Sequence, residues 1–394
     1  MSDIEAFRLD AHAWLDANCP ASMRGRTVHI EDIHEVYGTE DARLWRDRAA
    51  ARGWIAPGWP KAYGGGGLTR AEQRVLRDEM AALKAAPPWT DLGLALLGPT
   101  LLELGTEAQK QRHLPGIAQG QVSWCQGFSE PGSGSDLASL RTRAVLDGDQ
   151  FIVNGQKIWT SGAAHADWIF CLVRTNPDAP KHDGISFVLL DMKQPGVTVK
   201  PIGLISGSSP FCETFLDNAV ARKGDLVGEL NQGWSVAKRL LQYERSGPGD
   251  SGGAPKTARA TLNPYAELAM TYIGEENGRI ADAAVRERIT TQVMQERCLQ
   301  LTARRVAEES TSSGAPGAAT SIFKYIGATL GRDGAELKAR LRGVQGLGWD
   351  GEGFAAAELE STRSWLRDRA MTIYGGSNEI QLNIIAKRVL GLPD

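Results

Sequence analysis

Asp147-Gly148-Asp149-Gln150-Phe151-Ile152-Val153-Asn154-Gly155-Gln156-Lys157-Ile158-Trp159-Thr160-Ser161-Gly162 interrupts a chain whose pattern is otherwise helical. Residues 151–153 are a β-rich run, and Asp147–Gly148 and Asn154–Gly155 read as hairpin-type turns at its two ends. The runs 168–173, 185–190 and 197–199 repeat the β-rich pattern. A small antiparallel sheet or barrel is therefore expected over 122–232. Working outward, Phe7, Ala11, Trp14 and Leu15 share one face at helical spacing, and 92–104 is a second apolar helical stretch. Breaks at 57–60, 64–67 and 87–88 separate the helices of this first part. Beyond Gly233 helices return over 234–243, 264–272, 281–309, 322–330 and 378–390. The expected fold class is α+β: an N-terminal all-α domain (1–121), a central antiparallel β domain (122–232) and a C-terminal four-helix bundle (233–394). Helix, sheet and helix follow one another in segregated blocks, unlike a βαβ chain.

Composition narrows the function. A chain of 394 residues is too long for one hydrophobic core, so two or three domains are expected. The 44 basic and 47 acidic residues leave a net charge of -3 with no basic tract or acidic tail. Nothing in that balance favours nucleic acid or an anionic membrane as partner. The longest apolar runs, such as 185–190, are too short to span a bilayer. Asp3, Glu5 and Asp10 near the start argue against a basic leader peptide. Cys19, Cys125, Cys171, Cys212 and Cys298 are scattered without CxxC spacing, and the six histidines form no HExxH or HxxxH pair. Neither a disulfide framework, a zinc site nor a catalytic metal is expected, and a reducing, cytoplasmic location is.

Chemistry concentrates between 123 and 162. Ser129-Glu130-Pro131-Gly132-Ser133-Gly134-Ser135-Asp136 follows a strand-like run at 124–128. Glycines let a backbone approach a ligand closely, and successive N–H groups with Ser hydroxyls can cradle a pyrophosphate. The turn lacks the P-loop lysine and the strand–GxGxxG–helix setting, so neither of those nucleotide sites is supported. Taken alone, such Gly/Ser stretches are usually just turns. Its partner is Asn154-Gly155-Gln156-Lys157-Ile158-Trp159-Thr160-Ser161-Gly162, where a Trp and two hydroxyls end a strand. An indole face beside a hydroxyl donor suits an isoalloxazine ring; the competing use of an isolated Trp is core packing.

With these motifs in hand, the chain resembles the acyl-CoA dehydrogenase family over nearly its whole length. The resemblance is carried by Gly53-Trp54 through Trp59-Pro60 to Gly64-Gly65, by Phe128-Ser129-Glu130 through Gly134-Ser135-Asp136, and by Lys157-Ile158-Trp159. Asp225-Leu226-Val227-Gly228 and Ile373-Tyr374-Gly375-Gly376-Ser377-Asn378-Glu379-Ile380-Gln381 continue it in order. It implies FAD and an acyl-CoA bound between domains, and oxidation of the thioester at Cα and Cβ to a trans-2-enoyl-CoA. The α-proton goes to a base and the β-hydride to flavin N5. Gln126, Phe128, Ser129, Gly134, Ser135, Trp159 and Ser161 match flavin-contacting positions, and Ser377, Asn378 and Glu379 match the dinucleotide-contacting stretch near the C-terminus. Ser135, Arg245 and Gly375 are the substrate-side candidates. Electrons are expected to pass to electron-transferring flavoprotein.

The α-proton of a thioester is only weakly acidic, so the reaction needs a carboxylate made more basic by a dry setting, and a polarised carbonyl. Many family members place that Glu after the Tyr of a Tyr-Glu-Gly motif. Here Tyr374-Gly375-Gly376 occupies the motif, and Gly375 can donate an N–H but cannot take a proton. Isovaleryl- and long-chain-type members place a Glu before an Arg on the first helix of the C-terminal domain. Gln242-Tyr243-Glu244-Arg245 supplies that pair, making Glu244 the catalytic candidate, with Arg245 orienting it or holding the substrate end. Glu379 is the fallback base, with flavin contact or support of a helix start capped by Asn378 as its competing role. Glu130 is read as structural within its turn.

Two features depart from the family pattern. The usual Arg-x-x-Phe-Gly segment reads Tyr272-Ile273-Gly274-Glu275-Glu276-Asn277-Gly278-Arg279, and Gln-x-x-Gly-Gly is approximated by Gln345-Gly346-Leu347-Gly348. Flavin contacts donated across a subunit interface are therefore open, and the expected assembly is a homotetramer or a heterotetramer with a related subunit. The run Gly-Pro-Gly-Asp-Ser-Gly-Gly at 247–253 is either a linker or an open loop beside a bulky-substrate site. Three readings follow: an active dehydrogenase using Glu244, a non-catalytic partner subunit completing a heteromer's flavin site, and an acyl-CoA oxidase.

Overall fold

The computed structural model describes residues 3–25, 28, 33–246, 263–313 and 320–393. Two compact units result: Met1–Ile202 with Ser209–Gly247, and Gly203–Ser208 with Pro248–Asp394.

The first unit begins with α1 (Asp3–Asn18), α2 (Ile33–Tyr37), α3 (Glu40–Ala51), α4 (Arg70–Ala82), α5 (Gly98–Leu104) and α6 (Glu107–Ala118). Three of these helices start where threonine can cap them. Thr39 accepts from the Ala42 N–H, and Thr69 with Glu72 and Thr106 with Gln109 form reciprocal capping boxes. The face predicted from α1 is realised, with Ala11 and Leu15 buried against Trp45, Trp54 and Leu76. The stretch 92–104 is not one regular helix. Gly93–Leu97 forms a π-helical turn, closed by the Gly98 N–H on the Gly93 carbonyl, and α5 follows. Pro99 lacks the N–H that an unbroken α-helix would use there.

The strands are β1 (Trp124–Gly127), β2 (Arg143–Asp147), β3 (Gln150–Ser161), β4 (Trp168–Arg174), β5 (Ile185–Asp191), β6 (Val197–Ile202), β7 (Phe211–Arg222) and β8 (Leu226–Val227). They lie in the order β6-β7-β3-β2-β4-β5-β8, with β1 beside β4. Most pairs are antiparallel as expected, but β1 and β2 run parallel to β4. The Asp147–Gly148 turn is real: Asp147 pairs with Gln150 across Gly148 and Asp149. Asn154–Gly155 is not a turn. Strand β3 runs through it, and its register against β7 shifts between Val153 and Gly155. A glycine is needed there because a Cβ on residue 155 would stand 2.5 Å from Thr142 Oγ1 and 2.7 Å from Thr142 Cα. Asn154 turns its amide to the neighbouring strand, accepting from the Asn218 N–H at 2.8 Å.

Strands β4 and β5 are buried on both faces, which is why they read as continuous apolar runs. Alternate residues serve different cores. Phe170, Leu172, Phe187 and Leu189 face Leu97, Leu101, Leu114 and Ile117 of the helices. Ile169, Cys171, Val188 and Leu190 face Phe151, Val153 and Leu216 of the sheet's own return strands. Helix α7 (Gly233–Ser246) also belongs to this unit, burying Val236, Ala237 and Leu240 in the first of those cores.

The second unit contains α8 (Pro264–Tyr272), a hairpin of β9 (Glu275–Glu276) and β10 (Arg279–Ile280), then α9 (Ala283–Ser313), α10 (Thr320–Leu341), α11 (Ala356–Asp368) and α12 (Asn378–Ile384). Tyr265, Ala269, Ile289, Leu337 and Leu341 make its core. The sequence reading lacked α11, cut α10 short at 330, and ran 378–390 as one helix where α12 passes into a π-helical turn at Ile385–Val389. Among the described residues no helix is long and apolar enough to cross a membrane.

Candidate functional site

The turn after β1 is built by its own backbone. Glu130 and Ser133 exchange hydrogen bonds, 3.0 Å from the Glu130 N–H and 2.9 Å from the Ser133 N–H, so Pro131 and Gly132 project outward. Ser133 Oγ turns inward and donates to the Asp136 and Leu137 carbonyls. Gly134 and Ser135 are left exposed, and a Cβ added at Gly132 or Gly134 would meet nothing within 4 Å. Gln126 and Ser129 are half-buried. Phe128 is otherwise: its ring is buried edge-on to Phe170 and Phe187, at 5.9 and 6.1 Å. Its side chain therefore holds the turn to the sheet.

Trp159 stands beside this turn. Its φ is +60°, the left-handed region, and the β3–β7 register shifts between Lys157 and Thr160. A left-handed aromatic residue is strained backbone, which persists only where the surroundings over-determine it. The consequence is an indole held out of the sheet, 54% exposed, with Phe211 edge-on at 6.2 Å. Turn and strand are tied directly, the Ile158 N–H donating to the Ser129 carbonyl at 2.9 Å. Ser161 pairs with Phe211, and Thr160 is buried. Gln126, Ser129, Gly134, Ser135, Trp159 and Ser161 thus belong to one unit. An exposed aromatic face and a turn with open space over its glycines suit a ligand that combines a flat ring with phosphates.

Glu130 is structural in a stronger sense than its sequence suggested. Oε1 accepts from the Lys157 ammonium and the Thr142 N–H, each at 2.8 Å, and Oε2 from the Arg141 N–H at 2.7 Å. Lys157 is fully buried and also donates to the Phe128 carbonyl at 3.2 Å. Burial pushes the Glu130 carboxyl upward, but the Lys157 charge and these hydrogen bonds outweigh it and leave it below its ordinary range. Sequence reading missed this pair. Parity along β3 could have flagged it, since Lys157 shares the inward side of Phe151 and Val153; the extra residue at the Gly155 shift lies on β7, and β3 changes parity only after Lys157.

The end of α7 carries a second polar cluster. Glu103 Oε2 on α5 accepts from Arg239 Nε at 2.7 Å and from the Tyr243 hydroxyl at 2.5 Å, and Arg239 also donates to Gln242 Oε1 at 2.6 Å. The Tyr243 hydroxyl holds the Glu103 carboxyl low, and burial with that bond raises the phenol. The next residue is Glu244, in the last turn of α7. The side chains of Glu244 and Arg245, and all of 247–253, lie outside the described residues.

In the second unit, Gly375 and Gly376 have φ of +62° and +85°. They lead into α12, whose cap is Ser377, not Asn378: the Ser377 hydroxyl accepts from the Ile380 N–H. Both residue types cap helices, and the chain entered one position earlier than expected. Asn378 turns its amide nitrogen to Thr329 Oγ1 at 3.2 Å, while its Oδ1 is buried without a partner among the described residues. Glu379 is exposed, its pKa lowered by its own N–H and the Ser377 hydroxyl. The segment expected to replace Arg-x-x-Phe-Gly is the β9–β10 hairpin, and Gln345–Leu347 lies in a tight 3-10 turn. Among the described residues no group of His, Cys, Asp and Glu is placed to hold a metal.

Comparison with known proteins covers both units. Three domain profiles match in sequence: acyl-CoA dehydrogenase, N-terminal domain, over 5–121; middle domain over 125–219; and C-terminal domain over 231–390. The acyl-CoA dehydrogenase IpdE1 of Mycobacterium tuberculosis is 39% identical over 397 residues, covering 100% of this chain and 99% of the relative. The acyl-CoA dehydrogenase FadE34 of the same organism is 39% identical over 87% of this chain and 45% of its own length. Among solved structures, the Tcur3481–Tcur3483 steroid ACAD is 30% identical with a TM-score of 0.77, covering 99% of this chain and 97% of that one. The ChsE4–ChsE5 complex of M. tuberculosis is 28% identical with a TM-score of 0.73, covering 100% and 98%.

Proposed function

Since the chain belongs to the acyl-CoA dehydrogenase family, we propose that it binds FAD and converts an acyl-CoA thioester to its trans-2-enoyl-CoA, with Glu244 as the base. The observation that carries the cofactor half is the left-handed, exposed Trp159 beside the open Gly132–Gly134 turn. The Oδ1 of Asn378, buried without a partner among the described residues, adds a polar atom that a ligand could satisfy. Gln126, Ser129, Gly134, Ser135, Trp159 and Ser161 would hold the flavin and pyrophosphate, and Ser377, Asn378 and Glu379 the rest of the dinucleotide. When bound, FAD supplies the acceptor for the β-hydride.

The chain's own residues then do three things. Glu244 takes the α-proton. The Glu103–Arg239–Tyr243 network fixes the turn of α7 that presents it. Gly375, at the position where many relatives carry the base, offers an N–H to the thioester carbonyl, a donor that strengthens as charge develops on oxygen. Arg245 and Ser135 remain substrate-side candidates.

The likeness to a steroid ACAD makes bulky, ring-bearing acyl-CoAs the first substrates to test. It also supports assembly with a second, related chain, since the ChsE4–ChsE5 relative is a complex of two, and the Arg-x-x-Phe-Gly segment is a hairpin here. A heterotetramer with that related subunit, or a homotetramer, together with electron-transferring flavoprotein as acceptor and a cytoplasmic setting, completes the reading. Anaerobic titration of the protein purified alone, against a panel of acyl-CoAs, tests it. Bleaching of a yellow flavin by substrate is expected. A colourless protein that gains flavin only with a partner chain would favour the half-site subunit, and peroxide formed on substrate addition in air would favour the oxidase.

A further inference from the structure

Resting on that flavin reading, we propose that the buried Lys157–Glu130 pair is a positioning device for the cofactor face, setting how Trp159 and the Ser129–Ser135 turn are presented to each other. Lys157 and Glu130 lie on the two halves of the site. Glu130 sits inside the turn, and Lys157 is two residues before Trp159 on β3. Their contact bridges 27 positions of sequence. Around it converge four backbone groups: the Phe128 carbonyl and the N–H groups of Arg141 and Thr142 bond to the pair directly, and the Ile158 N–H seals the adjacent rung on Ser129.

Stability alone does not account for this arrangement. A buried ion pair is often replaceable by apolar residues of similar volume at no loss of stability, whereas losing one partner strands a charge. What the pair adds is location. Trp159 holds its left-handed φ between two fixed points of the chain. Ahead of it Lys157 is anchored, and behind it Thr160 and Ser161 pair with Cys212 and Phe211 while the Gly162 N–H donates to the Pro210 carbonyl at 2.9 Å. Release the first anchor and the backbone at Trp159 can relax toward ordinary extended geometry, turning the indole away. Lys157 and Glu130 act through Trp159, without touching the ligand.

The test compares wild type, Glu130→Gln, Lys157→Met and the double variant K157M/E130Q, reading two quantities. One is the melting temperature of the apoprotein, and the other is FAD affinity by fluorescence quenching during reconstitution. Glu130→Gln keeps volume and one acceptor oxygen for the Lys157 ammonium, which makes it the milder of the two single changes. The double variant, with no stranded charge, is the sample on which the proposal is decided. The expected result is that the double variant melts near wild type while FAD affinity stays at least about tenfold weaker, as with other lost supporting partners. A double variant that recovers affinity along with melting temperature would overturn the proposal, leaving the pair structural only. A cycle with Trp159→Ala gives the second check: Glu130→Gln should weaken FAD binding in wild type but not further in the Trp159→Ala background, and additive losses would count against it. Wild-type apoprotein that takes up no FAD sinks the flavin reading itself, and this inference with it.

Discussion

Asp91 shows how one buried residue shapes the behaviour of the fold. Its carboxyl accepts the Leu94 N–H at 2.7 Å and the Trp124 N–H at 3.0 Å, where the first helices meet β1. Burial raises its pKa to about 6, with those N–H groups pulling the other way. An unfolded Asp titrates near 3.9, so between about pH 4 and 6 the folded state holds the extra proton. Stability from this group is therefore full below about pH 4 and falls by about 3 kcal/mol as pH rises through 6. Asp91→Asn should flatten that slope: relative to wild type it should fare better in urea unfolding at pH 7.5 than at pH 4.5. An unchanged difference would refute the assignment. At the same scale, Glu244→Gln should retain FAD and acyl-CoA binding yet slow substrate bleaching by roughly 10²–10⁴-fold, the range for a lost general base. Near-normal bleaching in a stopped-flow trace would remove Glu244 from the mechanism.

Among the elements, α6 ties helices to sheet by hydrogen bonds as well as by packing. Gln109 completes its capping box and also donates through Nε2 to the Gly224 and Leu226 carbonyls, at 2.9 and 2.8 Å. Removing the cap alone with Thr106→Ala should cost about 1 kcal/mol. Gln109→Ala strands two carbonyls as well and should cost about 2–3 kcal/mol, read from urea midpoints with unchanged slope. Elements were also where the sequence was most and least legible. The apolar runs of β4 and β5 announce themselves, because two-sided burial acts locally on residue type; the caps at Thr39, Thr69 and Thr106 are equally local signals that sequence reading left unused. Asn154–Gly155 misleads because the same glycine that makes a turn also admits the close approach of Thr142. Helix α11 and strand β7 escape because polar and apolar residues mix along them, and packing within each unit decides their conformation.

For the whole molecule, the helix–sheet–helix order was readable from periodicity, and the match of three successive family domains agrees with it. Helix α7 packs under the sheet with the N-terminal helices through Val236, Ala237 and Leu240, while the match to the C-terminal family domain begins at residue 231. The candidate site divides likewise. Trp159 and the Gly132–Ser135 turn carry a recognisable pattern, whereas for Lys157 the alternation along β3 marks only its inward side, and the partner it meets there, Glu130, lies 27 positions away. With a net charge of -3, the molecule offers no attractive field for a CoA tail, so local Arg and Lys side chains must bind its phosphates. Raising ionic strength should accordingly weaken acyl-CoA binding through those contacts while leaving association rates little changed, which rapid-mixing kinetics at two salt concentrations would show.

The double burial of β4 and β5 bears on how the chain is made. Phe170 and Leu172 are synthesised well before Leu240, which closes the same core from α7. At about 5–20 residues per second, the ribosome needs roughly 4–14 seconds to cross that gap. Throughout it, one face of the nascent sheet is bare of its last cover. Yield in the cell should thus depend on chaperone capacity during that interval, and a slow codon run placed within it should raise the aggregated fraction without altering a single contact of the finished protein.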